Sequence, residues 1–137
     1  MYIRNEDTIY APATVPGTGA ISVIRVSGPE VLAIADKVIK CKKSSISESK
    51  GYTIKFGVIL DDAGALLDEV LVSIFRAPHS YTGENSVEIS CHASSYIVSA
   101  VMNLLYAAGA RAAEPGEFTQ RAFLNGKMDL AQAEAVA

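Results

Sequence analysis

The sequence predicts an α+β domain in which helices pack on a mixed sheet. Three observations carry that expectation. Apolar and polar residues alternate over 69–76 and 86–92, the pattern of half-buried strands. Two apolar stripes recur at helical spacing, Val31, Ile34, Ala35, Val38 and Ile39, then Ile97, Val101, Leu104, Leu105 and Ala108. The resulting order, β-β-α-β-β-β-α-α, lacks the strict strand–helix alternation of a parallel sheet.

The elements follow in turn. Residues 8–14 read as a short strand, closed by the turn Pro16-Gly17-Thr18-Gly19. Residues 20–26 are a near-continuous apolar run with one charge, Arg25. Ser27-Gly28-Pro29-Glu30 is a Ser-x-x-Glu box with proline in the first turn, and it opens the first helix. Residues 40–50, rich in Ser and Lys, read as an exposed and mobile loop. Residues 52–60 form a strand, and Asp61-Asp62-Ala63-Gly64 makes a hairpin turn. Residues 69–76 follow with Val70, Val72 and Ile74 on one face, then a polar loop over 78–85 and a strand over 86–92. Residues 94–108 form a helix that ends at Gly109. Residues 118–124 form a short helix closed by Asn125-Gly126, with Gly126 in the left-handed conformation.

At the end of the sequence Asp129 is an N-cap, and Gln132 completes its capping box. Leu130, Ala133, Glu134 and Ala137 lie on one stripe. A helix of only about two turns is marginal in water by itself. The chain is therefore expected to be a piece of a longer protein, cut where it enters a helical region.

Composition sets the class. The 137 residues are 50% hydrophobic and 20% charged, enough for one domain with a real core. A net charge of -3 argues against a purely electrostatic nucleic-acid binder, although a local basic patch is compatible with it. Cys41 and Cys91 make neither a disulfide framework nor a zinc set, and Cys91 reads as a buried small hydrophobe. His79 and His92, the two histidines, have no partners at metal-ligand spacing. The opening MYIRNEDTIY lacks the apolar stretch of a signal peptide, and no run approaches a membrane span of about 18 apolar residues. The default is a cytoplasmic protein with no membrane partner. Gly17-Thr18-Gly19 lacks the Gly-Lys-Ser/Thr of a phosphate loop. No spacing of Ser, His and Asp picks out a catalytic triad.

Three residues carry candidate chemistry. Arg25 shares a strand face with Ile21 and Val23; it either meets a ligand anion there or is a structural arginine at a strand end, paired with an acid or reaching water. Glu88 alternates with Val87 and Ile89 on a face with Ser86, Ser90 and His92. That face is either plainly solvated or a pocket wall, where a carboxylate accepts two parallel hydrogen bonds from an amino-heterocycle. Lys127 stands between a glycine C-cap and an N-cap, aimed at a ligand anion or simply solvated.

The blocks DTIYAPAT-x-PG-x-GAISVIRVSG, PHSYTGENSVEISCH and PGEFTQRAFLNGKMDLAQAEAVA resemble the three signature blocks of the MnmE/TrmE family of tRNA modification GTPases. The resemblance runs from about Asp7 to Ala137, and three long blocks in order make it specific. It implies an N-terminal folate-binding and dimerisation domain over 1–115, and over 116–137 a hinge with the first helices of a truncated central helical domain. It implies a fold similar to the tetrahydrofolate-binding fold of the glycine cleavage T-protein.

The expected cofactor is 5-formyltetrahydrofolate or another one-carbon tetrahydrofolate. The expected partners are a second copy of the chain, a flavoprotein of the MnmG/GidA type and, through the full complex, tRNA. The parent protein is expected to be a GTPase that, with the flavoprotein, places an aminomethyl-type group at C5 of the wobble uridine. GTP and potassium belong to a G domain whose motifs are not in this sequence, so the chain itself should not hydrolyse GTP. The family's folate-contacting residues fall on Arg25, Glu88 and Lys127, with Glu88 holding the amino-pterin edge, and Tyr81, Thr82 and His92 stand next to them as candidates. The chain departs from the family at Cys91-His92-Ala93-Ser94, where many members have Gly-His-Gly-Gly, and at Thr18, where many have Arg. Larger side chains near the helix start are expected to narrow the pocket. The alternatives are a purely structural dimerisation module without a working folate site and, less well supported, an independent aminomethyltransferase, for which the chain is short and shows no evident catalytic acid.

Overall fold

A computed structural model of the chain describes residues 6–14 and 19–136. Its strands are β1 (Ile9–Pro12), β2 (Ile21–Ser27), β3 (Ile39–Lys40), β4 (Thr53–Leu60), β5 (Leu66–Phe75), β6 (Ser86–His92) and β7 (Arg111–Ala112). The helices are α1 (Val31–Val38), α2 (Ser95–Ala107), α3 (Glu117–Leu124) and α4 (Leu130–Val136). The strands form one sheet in the order β3-β4-β5-β6-β2-β1-β7. Among the described residues only β1 and β7 run parallel; all other neighbours are antiparallel. The architecture is the α+β, mixed-sheet one that the periodicities predict. The first turn lies largely outside the described residues, as does Thr18.

The two faces of the sheet differ. Period two puts Ile24, Val26, Val72, Ile74, Val87, Ile89 and Cys91 on one face, where α1 and α2 cover them. There they form a single core with Val31, Ile34, Ala35, Val101 and Leu105. Burial pushes the Cys91 thiol up, as for a small core hydrophobe. The opposite face carries Ile21, Ile54, Phe56 and Leu71, which stay 59%, 68%, 55% and 48% exposed. Arg25 and Glu88 belong to this helix-free face, directly opposite each other across β2 and β6.

Ser27 does not cap α1. The residue continues the alternation of β2, so its side chain shares the helix-free face with Arg25 and points away from α1. Its hydroxyl instead joins Thr82 at 2.7 Å and donates to Glu84 at 2.9 Å. The free N–H of Glu30 at the start of α1 donates to the hydroxyl of Thr8, 3.0 Å away. Gly28 lets β1 come this close: a Cβ there would lie 2.5 Å from the Thr8 backbone.

The stretch after α1 is also more tied down than its composition suggests. Ile39 and Lys40 leave the helix and pair with β4. Ile46 is wholly buried, and the Asp36 carboxylate accepts the N–H groups of Ile46 and Ser47 at 2.6 and 3.1 Å. From β5's end, Arg76 donates to the carbonyls of Ser47 and Ser49 at 2.7 and 2.8 Å. The lysines and most of the serines lie on the outer side of this loop, while Ser49 is buried with Ile46. Near the C-terminal end the capping box forms as read: Gln132 N–H donates to Asp129 and Asp129 N–H to Gln132, both at 2.8 Å.

Candidate binding site

The site is built at one end of the helix-free face. Cross-strand pairing brings Arg25 and Glu88 together, and Arg25 Nε donates to Glu88 Oε2 at 3.1 Å. The two side chains are 27% and 30% exposed, so the pair is neither buried nor washed out by water. No other hydrogen bond engages Glu88 among the described residues, so Oε1 is open to a ligand. The Tyr81 ring lies over the Arg25 guanidinium at 4.8 Å, and the Phe118 ring flanks it at 5.8 Å. Tyr81 is steadied in turn by a 3.0 Å hydrogen bond between its hydroxyl and that of Thr119 in α3.

A cavity of about 350 Å³ opens between these groups, and Arg25, Glu88 and Lys127 all line it. Two cations thus face one carboxylate, in a chain whose net charge is -3. The local excess of positive charge favours a ligand with an acidic or carbonyl-rich part, while Glu88 accepts from N–H donors. The far wall is aromatic, made by Tyr52, Phe75 and His79.

The loop over 78–85 is moulded by a buried polar network behind the cavity. Ser86 donates to Ser27 at 3.0 Å, and Thr82 lies between them and is wholly buried. Glu84 accepts from Ser27 and from Arg121 Nη1, which meets its two oxygens at 3.1 and 3.2 Å. Arg121, 1% exposed, also donates to Glu117 at 3.2 Å. Glu117 receives a fork from Arg111, at 2.8 and 2.7 Å, while Arg111 Nε reaches Asp7 at 2.8 Å. Hydrogen bonding to Glu117 raises the Arg111 guanidinium further above its already high range. Burial pushes the Glu117 carboxyl up, but hydrogen bonds from Arg111 and the Glu114 N–H, with the charges of Arg111 and Arg121, outweigh it and hold the carboxyl below its ordinary value.

This network seats α3 against the loop and so delivers Lys127 to the rim. Asn125 Nδ2 donates to the Thr82 carbonyl at 2.8 Å, and Lys127 N–H closes the end of α3 on the Ala122 carbonyl at 2.8 Å. Gly83 is the contact point: its φ is +82°, and a Cβ there would lie 2.8 Å from Asn125 Cβ and 3.2 Å from Lys127 Cγ. Gly83→Ala is therefore expected to cost about 1–2 kcal/mol in urea unfolding. It should also shift the backbone amide resonances of Asn125 and Lys127.

The three primary candidates thus meet in one place. Tyr81 joins them in the cavity lining, while Thr82 sits behind the wall as support. His92 stands apart, at the other end of β6 opposite Ile21, with Nδ1 at 2.6 Å from the buried Asp68 carboxylate. Ala93 and Ser94 do not narrow the Arg25 cavity. Ser94 caps α2, accepting the Ile97 N–H at 3.4 Å, and both residues line a separate cavity of about 390 Å³ with Ser22 and Val98. The sequence reading missed Tyr52, Phe75, His79 and Ser80. For His79 and Ser80 the available signal was the imidazole and aromatic groups packed into Pro78-His79-Ser80-Tyr81, because a merely solvated loop has no use for them. Among the described residues no cluster of three or more His, Cys, Asp or Glu is placed to hold a metal ion, and no helix is long and apolar enough to cross a membrane.

The chain is an α+β domain with a cavity of mixed charged and aromatic lining on its open sheet face, and comparison with known proteins gives its kinship. Residues 8–127 match the family model described as the GTP-binding protein TrmE N-terminus, and the chain belongs to that family. It is 61% identical over 135 residues to a tRNA modification GTPase MnmE of Bacteroides fragilis and 60% identical to that of Bacteroides thetaiotaomicron, each alignment covering 97% of the chain. The corresponding protein of Moorella thermoacetica is 55% identical over 133 residues, 96% of the chain. The chain spans 29% of the length of each of these three relatives.

Proposed function

We propose that this chain is a tetrahydrofolate-binding and dimerisation domain of a tRNA modification GTPase. The observation that carries the folate reading is the convergence of Arg25, Glu88 and Lys127 on one cavity, with Glu88 Oε1 unengaged. A reduced pterin presents an amino group and a ring N–H side by side, a donor pair that matches one carboxylate. Arg25 and Lys127 supply donors for carbonyl and acid groups elsewhere on the ligand. The ligand we assign is 5-formyltetrahydrofolate or another one-carbon tetrahydrofolate.

Residues 1–115 would then be the folate and dimer unit, and 116–137 the hinge into a helical domain. Dimerisation is supported by the exposed apolar row Ile54, Phe56 and Leu71, which begins beside the cavity on the same sheet face, and by exposed Ile21 at the far end of that face. We further propose that the parent protein hydrolyses GTP in a separate domain. With a flavoprotein partner it would modify the wobble uridine of tRNA in the cytoplasm. The purely structural reading, a dimerisation module with an idle pocket, is favoured by that same apolar row and by nothing in the cavity.

Calorimetric titration with 5-formyltetrahydrofolate, beside sedimentation of the same sample, separates the two. The folate reading expects micromolar binding, about 8 kcal/mol, by a dimer. A dimer that takes up no folate would favour the structural module.

A further inference from the structure

The helix-covered face of the sheet carries one polar residue where β2 begins. Strand parity puts Ser22 on that face with Ile24 and Val26, opposite Cys91, and the residue is only 8% exposed. Its hydroxyl has no hydrogen-bond partner among the described residues. A buried hydroxyl left alone costs free energy, so such a group is met by water or by a ligand atom. Parity turns Ser22 toward α2, and there it lines the cavity of about 390 Å³ that Ser94 and Ser95 also border. The N-terminal end of α2 therefore opens on the same space. Ser94 accepts the Ile97 N–H, but the N–H groups of Ser95 and Tyr96 stay unbonded among the described residues. That end of the helix also carries the positive pole of its dipole. Pro12, Val98 and Met102 give the cavity an apolar side, and no charged side chain among the described residues lines it.

We propose that this cavity is a second binding site, for a short-chain aliphatic monocarboxylate. The carboxylate accepts from the Ser22 hydroxyl and from the open N–H groups at the start of α2, and the alkyl body lies against Pro12, Val98 and Met102. Each part of the lining selects. The helix pole favours a negative charge over a neutral amide. A phosphate, with its higher charge, calls for the lysine or arginine that the lining lacks. The apolar side has no use for a water molecule and suits methylene groups. The site lies across the sheet from Arg25 and Glu88, so it stands or falls separately from the folate reading.

Four probes are titrated into the isotope-labelled chain at neutral pH and constant ionic strength: butyrate, acetate, butyramide and inorganic phosphate. Backbone amide resonances report where each one binds. Butyrate is expected to give saturable shifts at Ser22, Ser95, Tyr96 and Val98, with Arg25, Glu88 and Lys127 unmoved. It should bind several-fold more tightly than acetate, because two further methylenes leave water. Butyramide and phosphate should bind more weakly than butyrate. Ser22→Ala removes the hydroxyl alone and is expected to weaken butyrate by about tenfold, the loss of one hydrogen bond to a charged group. Ser22→Val, a residue at home in a strand, fills the space instead and should abolish the shifts while the rest of the spectrum keeps its dispersion. Butyrate affinity unchanged in Ser22→Ala would overturn the role of that hydroxyl, and with it the site. Equal binding of butyramide, or tighter binding of phosphate, would overturn the carboxylate assignment. Butyrate shifts centred on Arg25 and Lys127, or none at all at saturating probe, would leave the cavity to water and overturn the proposal outright.

Discussion

Arg121→Met is expected to destabilise the chain by about 3–5 kcal/mol, measured by urea unfolding at neutral pH. The methionine keeps much of the side-chain volume and removes only the charge and its hydrogen bonds. What it leaves behind sets the cost. Glu84 and Glu117, 13% and 7% exposed, lose the cation between them. Two poorly solvated carboxylates without their shared partner are worth far more than the loss of a surface pair. The effect should spread along α3, because Arg121 is the residue of that helix that holds Glu84 and thus the loop under Tyr81 and Thr82. A loss below about 1 kcal/mol would mean that the network is not what binds α3 to the sheet.

The same network gives the stability a pH dependence whose sign can be worked out. The Glu117 carboxyl is held below its ordinary value in the folded chain. A depressed carboxyl stabilises the fold above its unfolded pKa, about 4.3, and that stabilisation is lost as pH falls through the lower folded value. Unfolding free energy should therefore drop as the medium is acidified below about pH 4. Arg121→Met, which removes one of the charges that hold the carboxyl down, should lower less steeply across that window.

Glu88→Ala is expected to weaken 5-formyltetrahydrofolate binding on the order of 100-fold, close to 2.7 kcal/mol, in a calorimetric titration. A carboxylate accepting two hydrogen bonds is the strongest single anchor the cavity can offer, and each charge-assisted bond contributes about 1.5–3 kcal/mol. The fold should survive the change. Glu88 is partly exposed and its one partner, Arg25, keeps access to water and to the Tyr81 face. Retained dimerisation with lost binding is the combined signature. Affinity within about threefold of the unaltered chain would remove Glu88 from the recognition scheme.

Periodicity reads best where one face of an element is buried and the other is not. β6 alternates cleanly because Val87, Ile89 and Cys91 enter the core while Glu88 and Ser90 face outward, and α2 shows its stripe for the same reason. β3 and β7, two residues each, are too short to show a period and exist only because β4 and β1 offer them a ladder. Ser27 illustrates a different failure. Its spacing to Glu30 satisfies the capping-box pattern, but the strand parity it inherits from Arg25 turns it to the wrong face.

The site was legible through its charges. Arg25 and Glu88 are conspicuous among apolar neighbours, and Lys127 falls between two helix signals. Their meeting is a matter of register and of α3 docking, which no local pattern states; the resemblance to a family supplied it. Tyr52 left no such mark, since its place in the cavity wall goes with a left-handed φ and with the approach of Phe75 and His79 from other segments. Nothing in the local pattern of residues 117–124 marks Arg121 as a buried cation. Only the packed structure shows Glu84 and Glu117 closing on it.

The central claim is that one cavity on the open sheet face, walled by Arg25, Glu88 and Lys127, holds a reduced folate. The most direct measurement is resonance-shift mapping of the isotope-labelled chain as 5-formyltetrahydrofolate is added. The account predicts saturable shifts concentrated at Arg25, Tyr81, Glu88 and Lys127, with Ser22, Ser94 and Ser95 at the separate cavity unmoved. Shifts centred on those serines, or none at all at millimolar ligand, would contradict it.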